Sequence, residues 1–374
     1  MKHIIQNFIR NIVFLRFSLV MEKREKSILN IRNMPTCKVE GEDEWIKFWR
    51  PLVKTKNKFA YRLYSQSCGN SKFIISEPAC IAINNALNPV EFQAYYADKN
   101  MFDRLLSSGA TPRTILRKMK GDILFDKEYH PVKSFSESSL TEYLKGFDSV
   151  ILKPSIGTNS GIGVELFIRN RDNKFYQKNS NDLLTADYLL THPDEFILQE
   201  AMHQHPFMAN LNPSSINTIR LATYRSIKDN EVHLLSSVIR IGAKDQFVDN
   251  LHAGGVMIRV LENGELDKCC YTQEGTKLDS HNNISFKDGN YLVPQWDKII
   301  SFAKENASRL THMRLIQHDI MIDENGNPKY IEFNNIGFSQ WIAQFTGTPA
   351  FLNFAEEMRD YALKSLPSTK TIII

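Results

Sequence analysis

Three oxygen-bearing side chains, Asp319, Glu332 and Asn334, fall within one stretch, QHDIMIDENGNPKYIEFNN, residues 317–335. The stretch reads as a hairpin. HDIMI alternates as a strand, Asn325-Gly326 is a strong turn signal, and KYIEFNN returns. Side chains alternate faces along a strand, so Glu332 and Asn334 share one. A tip at Asn325-Gly326 leaves Asp319 and Glu332 at similar distances from the turn, able to meet across the pair. Hard oxygen ligands of this kind suit Mg2+, which takes one or two carboxylates and fills its shell with water and substrate phosphate. The plainer reading is a surface hairpin carrying Asp, Glu and Asn for solubility.

A second stretch, VILKPSIGTNSGIGVELF at residues 150–167, reads as strand, small-residue loop, strand. Lys153 ends the first strand. The loop holds Ser155, Gly157, Thr158, Ser160, Gly161 and Gly163. Glycines let backbone N–H groups turn inward and let a ligand approach. Consecutive N–H groups form an anion-binding nest, and the lysine adds a point charge for a phosphate. The order is wrong for a Walker A loop, where lysine follows the last glycine and a helix comes next. A GxGxxG fingerprint is also absent. A glycine-rich hairpin without a ligand is the alternative.

The elements that must position these groups follow from periodicity. Residues 41–66 carry Trp45, Phe48, Trp49 and Tyr61 in a helical amphipathic pattern. Phe73–Ile75 begins a short strand, and Glu77–Leu87 a helix closed by Asn88-Pro89. Asp98 caps a helix to Leu106 with Lys99 in its first turn, on its own a solvated charge. Phe196–Gln199 is a short strand followed by Glu200, then by His203 and His205, which read as loop histidines. A strand over 216–224 puts Arg220 on one face with Thr218, Ala222 and Tyr224. An arginine in mid-strand is costly to bury without an anion; otherwise it sits on an edge strand facing water. Another strand, 232–241, ends near Arg240. DNLHAGGV supplies His252 before a strand to Leu261. Amphipathic helices over 296–310 and 351–366 complete the chain.

The chain has 374 residues, 42% hydrophobic and 24% charged, with a formal charge of +4. That length accommodates two domains or one elaborated one. The charge is too small to argue for nucleic acid and is compatible with an anionic substrate. Five cysteines fit no CxxC pattern, which points to a reducing, cytoplasmic compartment. No apolar run reaches the length that spans a membrane. Residues 1–20 are apolar with Lys2, Arg10 and Arg16 interspersed. They read either as a basic amphipathic helix on the inner face of a membrane or as a helix packed on the body.

In order, the segments LKPSIGTNSGIGV, LQEAMHQHP, SSINTIRLATYR, HAGGV and HDIMIDENGNPKYIEFNN resemble the ATP-grasp superfamily, and within it the sugar-transfer-associated branch, often encoded beside glycosyltransferases. The resemblance runs from about Asp98 to about Phe354. It implies an α+β ATP-grasp fold in which two subdomains sandwich ATP, with a helical N-terminal extension. The expected division is a segment 1–35, an N-terminal region 36–97, a small lid subdomain 98–205 and a large subdomain 206–374. Lys153 and Lys99 would hold ATP phosphates beneath a lid of residues 157–163, with Ser155 at its base. Gln199 and Glu200 would line the adenine and ribose, and His252 would also face the nucleotide. Asp319, Glu332 and Asn334 would hold Mg2+, or Mn2+ in its place. Many ATP-grasp ligases carry arginine two residues before the metal aspartate; here that position is Gln317, so Arg220 or Arg240 would meet the transferring phosphoryl group.

The implied reaction turns a carboxylate into an acyl-phosphate, which an amine or similar nucleophile then attacks. The implied partners are a small-molecule or sugar-linked carboxylate and an amine acceptor, in polysaccharide assembly. A kinase on the same fold would phosphorylate a hydroxyl instead, and an assembly factor would bind ATP without turnover. A glycosidase built on Asp319 and Glu332 would leave the lysine-led loop unexplained.

Overall fold

The computed structural model describes residues 2–53, 58–121, 123–157, 162–245 and 250–365, with side chains from residue 15 onward. Thr158, Ser160 and Gly161 of the expected lid lie outside these residues. Helices fill the N-terminal quarter: α1 (Lys2–Ile31), α2 (Glu42–Trp49), α3 (Phe59–Cys68), α4 (Glu77–Leu87) and α5 (Val90–Ala97). The amphipathic spacing of α2 and α3 buries Trp45, Phe48, Trp49, Tyr61 and Leu63 together. On α1, Ile28 and Leu29 join that core, while Leu15, Leu19 and Val20 are exposed. Among the described residues no helix is long and apolar enough to cross a membrane.

The strand expected at Phe73–Ile75 does not form. Its backbone bonds to side chains instead of to a neighbouring strand. Gln344 accepts from Ile75 N at 2.7 Å and donates to Ile75 O at 3.0 Å, and the Trp45 indole donates to Ile74 O. The helix expected from Asp98 to Leu106 divides into a 3-10 turn at Lys99–Met101 and a single turn, α6 (Phe102–Leu105), with the Asp98 carboxylate capping Asn100 N.

Residues 114–200 build a six-stranded antiparallel sheet: β1 (Thr114–Met119), β2 (Ile123–Phe125), β3 (Ser149–Pro154), β4 (Glu165–Arg169), β5 (Phe175–Gln177) and β6 (Phe196–Glu200), in the order β2-β1-β6-β3-β4-β5. Helices α7 (Glu137–Tyr143) and α8 (Ala186–Thr191) cover one face, where Leu140, Val150, Leu152, Phe167, Leu189 and Leu198 form a core. Alternation along β3 turns Ile151 and Lys153 to the opposite face.

After α9 (Pro206–Leu211) a seven-stranded sheet follows: β7 (Thr218–Arg225), β8 (Val232–Ile241), β9 (Val256–Val260), β10 (Leu266–Tyr271), β11 (Lys277–Leu278), then β14 (Leu315–Ile322) and β15 (Pro328–Asn334), in the order β11-β10-β9-β8-β7-β14-β15. A small ribbon of β12 (Ser280–His281) and β13 (Ile284–Ser285) intervenes, as does α10 (Trp296–Arg309). Helix α10 packs on one face of this sheet through Trp296, Ile299 and Ala303 against Ile219, Ile239 and Ile320. The other face carries Ala222, Val238 and Leu315, buried with the N-terminal helices and with α11 (Gln340–Phe345) and α12 (Ala355–Lys364). Thus the N-terminal helices share one core with the second sheet. Asn88 stitches them to the hairpin: its Oδ1 accepts from Arg314 N and Leu315 N, and its Nδ2 donates to Leu315 O and Asn335 O at 2.7 and 2.9 Å.

Candidate functional site

The hairpin closes as its turn signal requires. Gly326 has φ of +81°, and Asp323 Oδ1 accepts from Asn325 N and Asn327 N. The register from the turn pairs Ile320 with Tyr330, and a one-residue shift beyond it brings Asp319 opposite Glu332 and Gln317 opposite Asn334. On its other edge β14 pairs with β7, which sets Asp319 opposite Arg220. Arg220 is therefore an arginine of an inner strand, and its anion is Asp319. The fork is bidentate, Nε to Oδ1 at 2.7 Å and Nη2 to Oδ2 at 2.5 Å. Arg240, one strand further on β8, places Nη2 3.7 Å from Asp319 Oδ2, and Asn334 Nδ2 donates to the same oxygen at 3.3 Å. Asp319 is fully buried. Burial pushes its pKa up, but Arg220 and then Arg240 outweigh that and hold it down at about 2.

By alternation, Gln317, Asp319, Arg220 and Arg240 continue the face that carries Leu315, Ala222 and Val238. One end of that face lies under the N-terminal helices, and the charged residues occupy the other end. Across from them come Lys99, in the 3-10 turn that precedes the first sheet, and Lys153 of β3. Lys99 Nζ lies 3.6 Å from Glu332 Oε2, and Lys99 N donates to Ser155 O at 2.9 Å. Lys153 is half-buried; burial, and next the positive charge of Lys99, lower its pKa to about 8 against the pull of Glu332 and Asp103. Lys99 and Lys153 thus present two ammonium groups toward the carboxylate hairpin of the second sheet.

The sequence model of the sugar-transfer associated ATP-grasp family matches residues 82–359. The chain belongs to that family. Its fold is the ATP-grasp fold, of mixed α and β structure with a helical N-terminal region. It is similar to N5-carboxyaminoimidazole synthetase from Staphylococcus aureus, solved with ADP, at 12% identity over 70% of this chain and 53% of that one, with a TM-score of 0.38. It is similar to the biotin carboxylase domain of the Hydrogenobacter thermophilus 2-oxoglutarate carboxylase, solved with MgADP and bicarbonate, at 13% over 71% and 45%, TM-score 0.38. The D-alanine-D-alanine ligase of Coxiella burnetii follows at 10% over 74% and 60%, TM-score 0.40. The chain spans about half the length of the first of these. Among curated proteins none matches.

In this ATP-grasp chain the donor set suits a hard divalent cation. Glu332 is part-exposed and Asn334 stands two residues further on the same strand, whereas Asp319 Oδ2 already accepts from both Arg220 and Asn334. Among the described residues no group of three His, Cys, Asp or Glu side chains is gathered as a ready-made cage. Two carboxylates are what a Mg2+ site uses when substrate phosphate supplies the rest.

The remaining candidates separate. Ser155 is buried at the base of the loop, and its Oγ has no hydrogen-bond partner among the described residues. Gly157 and Gly163 have φ of +75° and +74°, and Ile156 and Ile162 are exposed. Register pairs Gln199 with Ile151, so Gln199 shares the Lys153 face; its amide donates to Pro112 O and Thr114 Oγ1. Alternation turns Glu200 the other way, where Arg113 binds it through Nε at 2.6 Å and its backbone N at 2.8 Å. His252 is exposed in the turn Leu251–Ala253 and makes no side-chain bond to the other candidates among the described residues. Gln317 spends both ends of its amide on one residue, accepting from Ser339 N at 2.9 Å and donating to Ser339 O.

Two further residues emerge from the structure. His318 is buried behind Asp319 between Thr223 Oγ1 at 2.7 Å and Tyr330 Oη at 2.8 Å. Burial lowers its pKa to about 3 despite the nearby Asp319 charge, so it is neutral. A histidine on the strand 315–322, on the opposite face from its neighbour Asp319, was the available signal. Asp103 accepts from Thr111 Oγ1, Thr114 Oγ1 and the buried Arg117, and its charge acts on Lys153. Nothing local in the sequence marks it.

Proposed function

We propose that the chain is a Mg2+- and ATP-dependent ligase that activates a carboxylate as an acyl-phosphate and joins it to an amine or similar nucleophile, in polysaccharide or cell-surface glycan assembly. The observation that carries this reading is the meeting of Lys99, beside the first sheet, with Glu332 of the second, which sets a lysine pair against a carboxylate pair. Residues 98–205 and 206–374 would be the two halves that enclose the nucleotide. The glycan setting rests on the family's description alone.

In this reading Lys153 and Lys99 neutralise the phosphates, and Ser155 and the loop after it close over them. The substrate carboxylate oxygen forms a bond to the γ-phosphorus while the bond to the bridging oxygen breaks, and ADP leaves. The amine nitrogen then bonds to the acyl carbon, phosphate departs, and the amine proton is lost to solvent. Arg220 and Arg240 supply positive charge where negative charge builds up on the transferring group. A bound divalent cation, held by Asp319, Glu332 and Asn334, would offset phosphate charge. Residues 1–20 would touch an anionic membrane surface: Leu15, Leu19 and Val20 are exposed on α1, and Lys2, Arg10 and Arg16 are basic. Co-sedimentation with phosphatidylserine vesicles tests that part.

Thermal unfolding with and without MgATP tests the central claim, for the wild type and Lys153→Ala. A ligand at one hundred times its Kd stabilises by roughly 2.7 kcal/mol. A magnesium-dependent rise that the variant loses is the expected result. No rise at millimolar MgATP in the wild type removes the reading. Release of phosphate with an amide product then separates ligase from kinase.

A further inference from the structure

The charges at the hairpin do not balance around a metal. Asp319 is fully buried, and both of its oxygens are engaged by the Arg220 fork, with Arg240 3.7 Å away. A buried carboxylate needs a cation, and here a guanidinium already serves. A divalent ion at the same carboxylate would leave it facing three cationic groups. Glu332 cannot absorb the excess, because Lys99 already lies against it. Gln317, the other polar side chain on this face of β14, is neutral and tied to Ser339. An arginine fork matches a carboxylate two oxygens at a time. Once Asp319 turns to the metal, the fork is left complementary to another carboxylate.

We propose that Arg220 stands in for the divalent cation at Asp319 in the nucleotide-free chain, and that the cation displaces it so that Arg220, beside Arg240, receives the carboxylate of the second substrate. The proposal rests on the ligase reading and deepens it. The acid substrate binds after the metal nucleotide, because its receptor is masked by Asp319 until then. Arg240 keeps its place through Nε on Thr218 Oγ1 at 3.1 Å while Arg220 exchanges partners.

The test is a Mn2+ titration followed by electron paramagnetic resonance, with ATP present, on wild type, Arg220→Met and Arg220→Lys. If Arg220 competes with the metal, Arg220→Met binds Mn2+ about tenfold more tightly than wild type, about 1.4 kcal/mol, and Arg220→Lys falls between. A residue that merely anchors Asp319 gives the opposite sign: Mn2+ binding that is weaker or unchanged in both variants overturns the proposal. Acetate supplies the carboxylate probe. It should raise the melting temperature of the Mn2+-ATP wild type, relative to chloride at equal ionic strength, and not that of the metal-free wild type or of the MnATP-bound Arg220→Lys. A rise in the metal-free wild type overturns the ordering. Should Arg220→Met fail to fold, the lysine variant and the acetate comparison decide. Absence of ATP-dependent Mn2+ binding in the wild type defeats the ligase reading itself, an outcome distinct from either result above.

Discussion

Lys153→Met should make the nucleotide-free protein more stable while weakening its hold on ATP. Folding moves the lysine pKa from 10.5 to about 8, burial acting first and Lys99 second. At 1.36 kcal/mol per pH unit this corresponds to a cost of about 3 kcal/mol for keeping the group charged. The sign follows from linkage. Below pH 8 the lysine is protonated in both folded and unfolded chains, and the cost is fully present. As pH rises from 8 toward 10.5 the folded chain sheds the proton first and the cost is relieved. Methionine keeps the apolar stem and removes the charge. The attraction to Glu332 and Asp103 is already contained in that net shift, so the gain at pH 7 should be up to about 3 kcal/mol. Denaturant unfolding at pH 7 measures it. The same substitution should weaken MgATP binding by at least tenfold, the loss of one charge-assisted contact. Wild-type affinity should fall about tenfold per pH unit above 8, as the unbound lysine loses its proton, and the variant should be flat there. A variant that is less stable than wild type, yet keeps the MgATP response and its pH profile, would refute both the buried-charge and the phosphate arguments.

Glu332→Gln should raise the Mg2+ concentration needed for the ATP-dependent stability gain by at least about tenfold; a titration superimposable on wild type removes Glu332 from the metal. His318 is neutral when folded, with a pKa of about 3, whereas the unfolded chain takes up the proton near 6.5. Stability should therefore decline by up to about 1.4 kcal/mol per pH unit between 6.5 and 3, and His318→Gln should lack that part of the slope in matched unfolding curves. Gly163→Ala should destabilise by about 1–3 kcal/mol, because φ is +74° and a Cβ would lie 2.9 Å from Pro154 Cγ; an unchanged melting temperature would mean the loop relaxes freely.

What the sequence determined by itself is local. The Asn-Gly turn set the register of β14 and β15 as far as Ile320 and Tyr330. A two-residue period alone would have carried Asp319 on to Ile331; a one-residue register shift, seen only in the structure, brings it opposite Glu332. The lysine-led glycine loop and the order of the motifs carried the family. The tertiary structure decided the pairings made across long separations. Arg220 was legible as an arginine in mid-strand, but its anion lies 99 residues away on a strand chosen by sheet order. The Phe73–Ile75 segment has strand composition, yet Gln344, 269 residues on, satisfies its backbone. Gln199 and Glu200 are neighbours in sequence and part company because β6 is paired on both sides, which fixes the direction of each side chain. The N-terminal helices likewise gave no sign of sharing a core with the second sheet. Apolar faces are interchangeable in a sequence pattern; which one covers which is settled only when all of them are buried at once.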